Sequence, residues 1–265
     1  MNDDILLVER DGYVVTLTLN RPEKRNSLSP DLLIRLHQTL NGLAQNDGVR
    51  AVILRGQGDL SFSSGYDIAA IPTGTTPEIE KTRNNQDPLR LATRSIIDFP
   101  YPVIAMLNGY AFGAGCELAV SCDLRIAADD IRMGMPPAKL GLVYPLAGLI
   151  RFIQTLGFSR TRELFFIGRF YGGPRILEMG LVDYMVPRQE LEPFTRQLAE
   201  EIAGNAPLSI KGHKRILNLL AGSIRLEEDD RKEAERILME AVNSEDLKEG
   251  QAAFLEKRKP LFKGH

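Results

Sequence analysis

The stretch "NGYAFGAGCELAVSCDLRIAA", Asn108 to Ala128, contains three glycines, then a run of small and apolar residues, Cys116 to Cys122, that holds a single carboxylate, Glu117. Glycine allows close backbone approach and conformations closed to other residues. A helix starting around Gly115 would turn its first N–H groups toward whatever sits over the Gly113 to Gly115 turn. Read alone, these glycines equally suit a tight turn. On either side, "YPVIAMLNG" (Tyr101 to Gly109) and "CDLRIAAD" (Cys122 to Asp129) are short apolar runs suited to buried strands. A lone carboxylate among such neighbours is costly to bury, so Glu117 needs a reason.

Working outward, the same rhythm recurs. "YVVTLTLN" (Tyr13 to Asn20) sets Val14, Thr16 and Thr18 against Val15, Leu17 and Leu19, the alternation of a strand. Ser29 reads as an N-cap with Pro30 at the first helical position, and Leu32, Leu33, Leu36, Leu40 and Leu43 follow at helical spacing. "VRAVILRG" (Val49 to Gly56) is another buried strand, followed by the Gly/Ser loop "QGDLSFSSGYDI". "PTGTTPEIEK", with Thr76 before Pro77, starts a further helix. Strand, loop, helix, strand argues an α/β core with crossovers. Beyond about Gly157 the pattern becomes mostly helical. Leu191, Phe194, Leu198 and Ile202 mark one amphipathic helix; "APLSIKGHKRILNLL", "EEDDRKEAERILMEAV" and "SEDLKEGQAAFLEKRK" mark three more. The division expected is 1–190 for the core and 191–265 for a helical C-terminal region.

The chain's 265 residues suffice for a large core. Lys plus Arg is 33 and Asp plus Glu is 35, a net charge of -2, which gives no electrostatic footprint for nucleic acid. No apolar run approaches the ~18 residues of a membrane helix. The acidic start "MNDDILLVERDGY" does not fit a signal peptide. Cys116 and Cys122 lack a metal-ligand spacing and read as reduced, buried thiols of a cytoplasmic protein. His37, His213 and His265 lie far apart in sequence, which argues against a histidine triad or metal site.

The segments "RPEKRNSLS", "FSSGYDI", "NGYAFGAGCELAVSCDLRIAA", "GLVDYMVP" and "EGQAAFLEKRKPLF" together resemble, in order and spacing, the crotonase (enoyl-CoA hydratase/isomerase) superfamily. The resemblance covers nearly the whole chain. It implies a spiral of ββα repeats followed by a helical region that builds trimers or dimers of trimers. It also implies an acyl-CoA thioester whose carbonyl becomes an enolate held by two backbone N–H groups, here those of Tyr66 and Ala114. Such a donor is worth ~10²–10³ in rate. Ala114 stands where the family more often has glycine. For the CoA moiety, the resemblance points to Lys24, Arg25, Ser64, Gly65, Ile68 and Gly113. Phe254 and Lys257 match positions that reach the CoA of a neighbouring subunit. Lys24, Arg25 and Lys257 also read as ordinary solvated charges, and Phe254 as helix core. CoA would enter as part of the substrate, with no metal or redox cofactor.

Family hydratases use two glutamates. One matches Glu117; the position matching the other is Pro137, in "MPPAKLGLVYP", and proline offers neither acid nor base. "FSSGYDIAAIPTG", "QDPLR", "PPAKLGLVYPLAG" and "NSEDLKEGQAAFLEKRKPLFKGH" look like the methylmalonyl-CoA decarboxylase branch, which keeps a glutamate at the Glu117 position and a tyrosine matching Tyr144. That tyrosine helps hold the departing carboxylate out of the thioester plane. Tyr66 stands where those decarboxylases carry histidine. Burial and a substrate carboxylate would both push Glu117 toward its protonated form, making it a hydrogen-bond donor or proton source. A purely structural Glu117, a hydratase or isomerase working with Glu117 alone or with Tyr144 in the missing role, and a non-catalytic CoA-ester-binding protein are the alternatives.

Overall fold

A computed structural model describes residues 4–45, 48–68, 87–222 and 227–264. The helix expected at "PTGTTPEIEK" lies outside these residues. Two sheets organise the rest. The first has six strands in the order β1-β2-β3-β5-β7-β10: β1 Leu6–Asp11, β2 Val14–Leu19, β3 Ala51–Gly56, β5 Val103–Leu107, β7 Leu124–Ala128 and β10 Tyr184–Val186. Only β1 and β2 pair antiparallel; the other pairs are parallel. The second has four short strands in the order β4-β6-β8-β9: β4 Ser61–Ser63, β6 Tyr110–Phe112, β8 Arg132–Gly134 and β9 Phe170–Gly172. The chain therefore winds as a spiral. Each turn lays one strand in the large sheet and one in the small sheet, as β3/β4, β5/β6 and β7/β8 show.

The apolar runs read from sequence supply the large sheet. Val15, Leu17, Leu19, Val52, Leu54, Val103, Ile104, Ala105 and Ile126 are fully buried, and Thr18 of β2 is buried with them. Both faces of these strands are covered, as parallel sheets require, so the alternation in β2 does not mark one wet face. Helix α1 (Pro30–Ala44) is capped as its sequence predicts, the Ser29 hydroxyl accepting from Leu32 N at 3.3 Å. It packs against α2 (Pro88–Asp98). Helix α3 (Ala114–Val120), expected from about Gly115, begins one residue earlier. α4 (Leu146–Ile167), bent at Gly157, packs on α3, and α5 (Pro174–Glu178) follows β9. From Leu191 onward the described elements are helices: α6 Leu191–Gly204, α7 Pro207–Ala221, α8 Glu228–Asn243 and α9 Glu245–Leu255. α6 covers the large sheet, and α9 folds back onto the short 3-10 turn Pro137–Leu140. The strap after α9 is tied down by the Leu261 N–H on Glu249 at 2.8 Å and the Lys263 N–H on Asp246 at 2.6 Å.

Among the described residues no helix is long and apolar enough to cross a membrane.

Candidate active site

Two loops from successive spiral turns meet beside the small sheet. β4 runs into the turn holding Gly65 and Tyr66, and β6 runs into the turn that starts α3. Gly65 has φ +106, and a Cβ there would lie 2.8 Å from the Phe112 carbonyl oxygen and 3.7 Å from Ala114 N. Glycine is thus what lets the loops touch. The Leu28 N–H donates to the Gly65 carbonyl at 2.8 Å and the Asp67 N–H donates to the Leu28 carbonyl at 3.1 Å. In such a parallel bridge the middle residue, Tyr66, turns its own N–H away from Leu28. The Ala114 N–H opens α3, where first-turn donors have no intrahelical acceptor. Both residues line the same cleft.

That cleft encloses about 1100 Å³. Much of its lining is apolar, with Leu89, Met135, Pro137, Leu142 and Val143, and helices α8 and α9 contribute Leu238, Val242 and Phe254. Stacked rings form a shelf: Tyr110 on Phe112 at 4.7 Å and Phe112 on Phe170 at 4.0 Å between centroids. Arg25, Ser64, Gly65, Ile68 and Gly113 line the cleft, as does Phe254, here the cleft of its own chain. Lys24 and Lys257 do not line it. Lys257 adopts φ 55, and it is the next residue, Arg258, that enters the lining. Among the described residues no group of three or more His, Cys, Asp or Glu could hold a metal ion.

Glu117 is 5% exposed and sits behind the cleft wall, not in it. Tyr144, 8% exposed, lines the cleft and separates it from Glu117. The Tyr144 hydroxyl donates to Glu117 Oε2, while Arg151 Nη1 donates to Oε1 and forms an ion pair with it. Burial pushes the Glu117 carboxyl above its usual range, and Arg151 and then the Tyr144 hydroxyl pull it back. Burial, reinforced by Glu117, pushes the Tyr144 phenol well above its usual value. The ring of Tyr144 is wedged between Phe165, centroids 5.4 Å apart, and Phe152, at 6.5 Å edge-on. Gly148 makes the juxtaposition possible. A Cβ there would lie 2.5 Å from the Tyr144 ring and 3.2 Å from Glu117 Oε1. Arg151 lies three residues along α4 from Gly148, on the same helix face. Sequence reasoning missed Arg151; its signal was a single cation in the apolar run "LAGLIRFI" after Tyr144. The arrangement joins a backbone donor pair to a buried acid that reaches the cleft through a phenol.

Relatives carry the same fold and span. The family model described as enoyl-CoA hydratase/isomerase matches residues 9–265. The chain is 36% identical over 253 residues to methylmalonyl-CoA decarboxylase of Escherichia coli, covering 95% of each protein. It is 33% identical over 257 residues to the short-chain-enoyl-CoA hydratase of Clostridium acetobutylicum, covering 96% of this chain and 95% of that one. A solved structure of methylmalonyl-CoA decarboxylase in complex with 2-nitronate-propionyl-CoA superposes with TM-score 0.93 at 35% identity over 99% of both chains. The chain belongs to the enoyl-CoA hydratase/isomerase family, and its spiral sheets and helical C-terminal region are the crotonase fold.

Proposed function

We propose that this chain is an acyl-CoA lyase that decarboxylates methylmalonyl-CoA or a close relative. The observation that carries the reading is the placement of its acid: one buried carboxyl, Glu117, presented to the cleft through Tyr144, with Pro137 in the wall where a hydratase's second glutamate would stand. In the proposed reaction the C2–carboxylate bond breaks and its electron pair enters the thioester carbonyl. The N–H groups of Tyr66 and Ala114 stabilise the enolate oxygen. The Tyr144 hydroxyl donates to Oε2 when Glu117 is ionised; when Glu117 is protonated on Oε2, that O–H donates to the phenol oxygen and the phenol turns its own hydrogen to the cleft. The pair then returns to C2, forming a C–H bond with the Tyr144 proton, while the phenol oxygen takes the proton of Glu117. Carbon dioxide and propionyl-CoA leave, and water restores the Glu117 proton. No base is needed to start, because carbon dioxide rather than a proton departs. The hydroxyl of Tyr66, half-buried on the cleft wall, would donate to the substrate carboxylate. CoA is part of the substrate, with Arg25, Ser64, Ile68, Phe254 and Arg258 along its path.

We further propose assembly as a trimer or a dimer of trimers. The exposed apolar side chains Leu208, Leu217 and Leu220 of α7 and Phe166 of α4 supply surface for it. Light scattering after gel filtration tests this.

The functional test incubates purified protein with methylmalonyl-CoA and, separately, crotonyl-CoA. Carbon dioxide and propionyl-CoA from the first support the reading. Loss of enoyl absorbance with the second, without decarboxylation, replaces it with single-glutamate hydration, which the similarity to short-chain-enoyl-CoA hydratase would then favour. Binding of both esters without turnover makes the chain a CoA-ester-binding protein.

A further inference from the structure

Arg151 is 13% exposed at its side chain, does not line the cleft, and has its charge against Glu117. A guanidinium donates hydrogen bonds and accepts none. Glu117 Oε1 is therefore an acceptor in either protonation state, and a proton on Glu117 has to sit on Oε2, the oxygen facing Tyr144. Gly148 leaves room for the Tyr144 ring beside Glu117: a Cβ there would clash with the ring and press on Oε1.

We propose that Arg151 is a positioning residue that assigns the Glu117 proton to Oε2 and stabilises the carboxylate left when that proton passes to Tyr144. This rests on the proton delivery described above. Other ionisable groups also face this carboxyl. Asp87 at the N-terminus of α2 raises its proton affinity, Tyr144 lowers it, and Cys116 is its neighbour on α3. Arg151 is the cation among the described groups acting on it, so its removal moves the titration upward. The proton is then held more tightly and delivered more slowly, since delivery follows the strength of the acid.

The test is an infrared titration of the protonated carboxyl band of the ligand-free protein, assigned by its loss in Glu117→Gln, together with the pH profile of kcat on methylmalonyl-CoA. Arg151→Met is expected to raise the band's midpoint by about one pH unit or more, move the alkaline limb of kcat the same way, and lower kcat about tenfold. Arg151→Lys restores most of both. On a Glu117→Gln background, Arg151→Met is expected to add no further loss. An unmoved midpoint in Arg151→Met, or an added tenfold loss on that background, overturns the proposal. Should Arg151→Met alone not fold, the double variant, which removes both charges, carries the test by the same comparison. The titration needs no turnover, so a shifted midpoint in a protein that releases no carbon dioxide refutes the proposed reaction and leaves Arg151's hold on Glu117 standing.

Discussion

Replacing Gly65 by alanine tests the close approach of the two loops that carry the proposed donors, Tyr66 and Ala114. At φ +106 an L side chain is strained, at about 1–3 kcal/mol. The added Cβ would lie 2.8 Å from the Phe112 carbonyl oxygen, a backbone atom of β6 that cannot rotate aside. Overpacking of this kind costs about 1–3 kcal/mol. The sum, about 2–6 kcal/mol, is a large share of the ~5–15 kcal/mol that holds a domain folded, so the turn will shift rather than carry it whole. A shift opens the gap between Tyr66 N and Ala114 N, and losing one donor costs ~10²–10³ in kcat. Urea unfolding measures the first effect and steady-state decarboxylation the second. Gly12→Ala is the control: its φ is +57, nothing lies within 4 Å, and it sits in the β1–β2 turn away from the cleft. It is expected to lose about 1 kcal/mol and no activity. A Gly65→Ala protein within ~1 kcal/mol of wild type, with kcat reduced less than tenfold, would refute the claim that these loops form the oxyanion site.

Tyr144→Phe removes the hydrogen-bond partner of Glu117 Oε2, leaving a buried polar atom unpaired at a cost of about 1–3 kcal/mol. With the phenol gone, kcat is expected to fall ~10²-fold or more, read as carbon dioxide release, with the KM for methylmalonyl-CoA changed far less. Pro137→Glu puts a carboxylate into the cleft wall at the start of a 3-10 turn; slow loss of crotonyl-CoA absorbance, absent from wild type, is the expected gain. Cys116 and Cys122 are buried, and burial pushes both thiols up to about 12. At pH 8 their thiolate fraction is ~10⁻⁴, so a disulfide reagent should label neither until the chain is unfolded. Because both values are raised on folding, the folded state holds protons the unfolded chain has lost, and stability should decline as pH climbs from about 9 toward about 12.

Four of the six strands of the large sheet were legible, because β2, β3, β5 and β7 are runs of five or six residues rich in apolar and β-branched side chains; β1, mostly exposed and charged, and β10, three residues long, were not. The small sheet was not, because β4, β6, β8 and β9 are three residues each, too short for a period of two to show. Only the resemblance implied a second strand in each repeat. At the site, motif order pointed to Tyr66, Ala114, Glu117 and Tyr144; the fold lines one cleft with Tyr66, Ala114 and Tyr144 and sets Glu117 behind Tyr144. Arg151 stayed hidden because its partner is 34 residues away, and only the packing of α4 on α3 joins them. At the C-terminus Phe254 and Arg258 line the cleft of their own chain, whereas the resemblance assigned Phe254 and Lys257 to the CoA of a neighbouring subunit, a role that one chain does not test.

Under the proposed reaction, Pro137 and Glu117 have a common explanation in where negative charge travels. Decarboxylation carries one charge from the substrate carboxylate to the thioester oxygen. A wall of Met135, Pro137, Leu142 and Val143 solvates the starting carboxylate poorly, while Tyr66 N and Ala114 N offer fixed dipoles to the oxygen that receives the charge. A second glutamate at 137 would repel the substrate and supply a base with nothing to remove. Glu117 avoids that conflict by lying behind Tyr144: its proton reaches C2 through the phenol, and the charge it is left with forms beside Arg151, away from the thioester. The apolar wall thus favours bond breaking and the buried pair favours protonation, and neither requires a second carboxyl group.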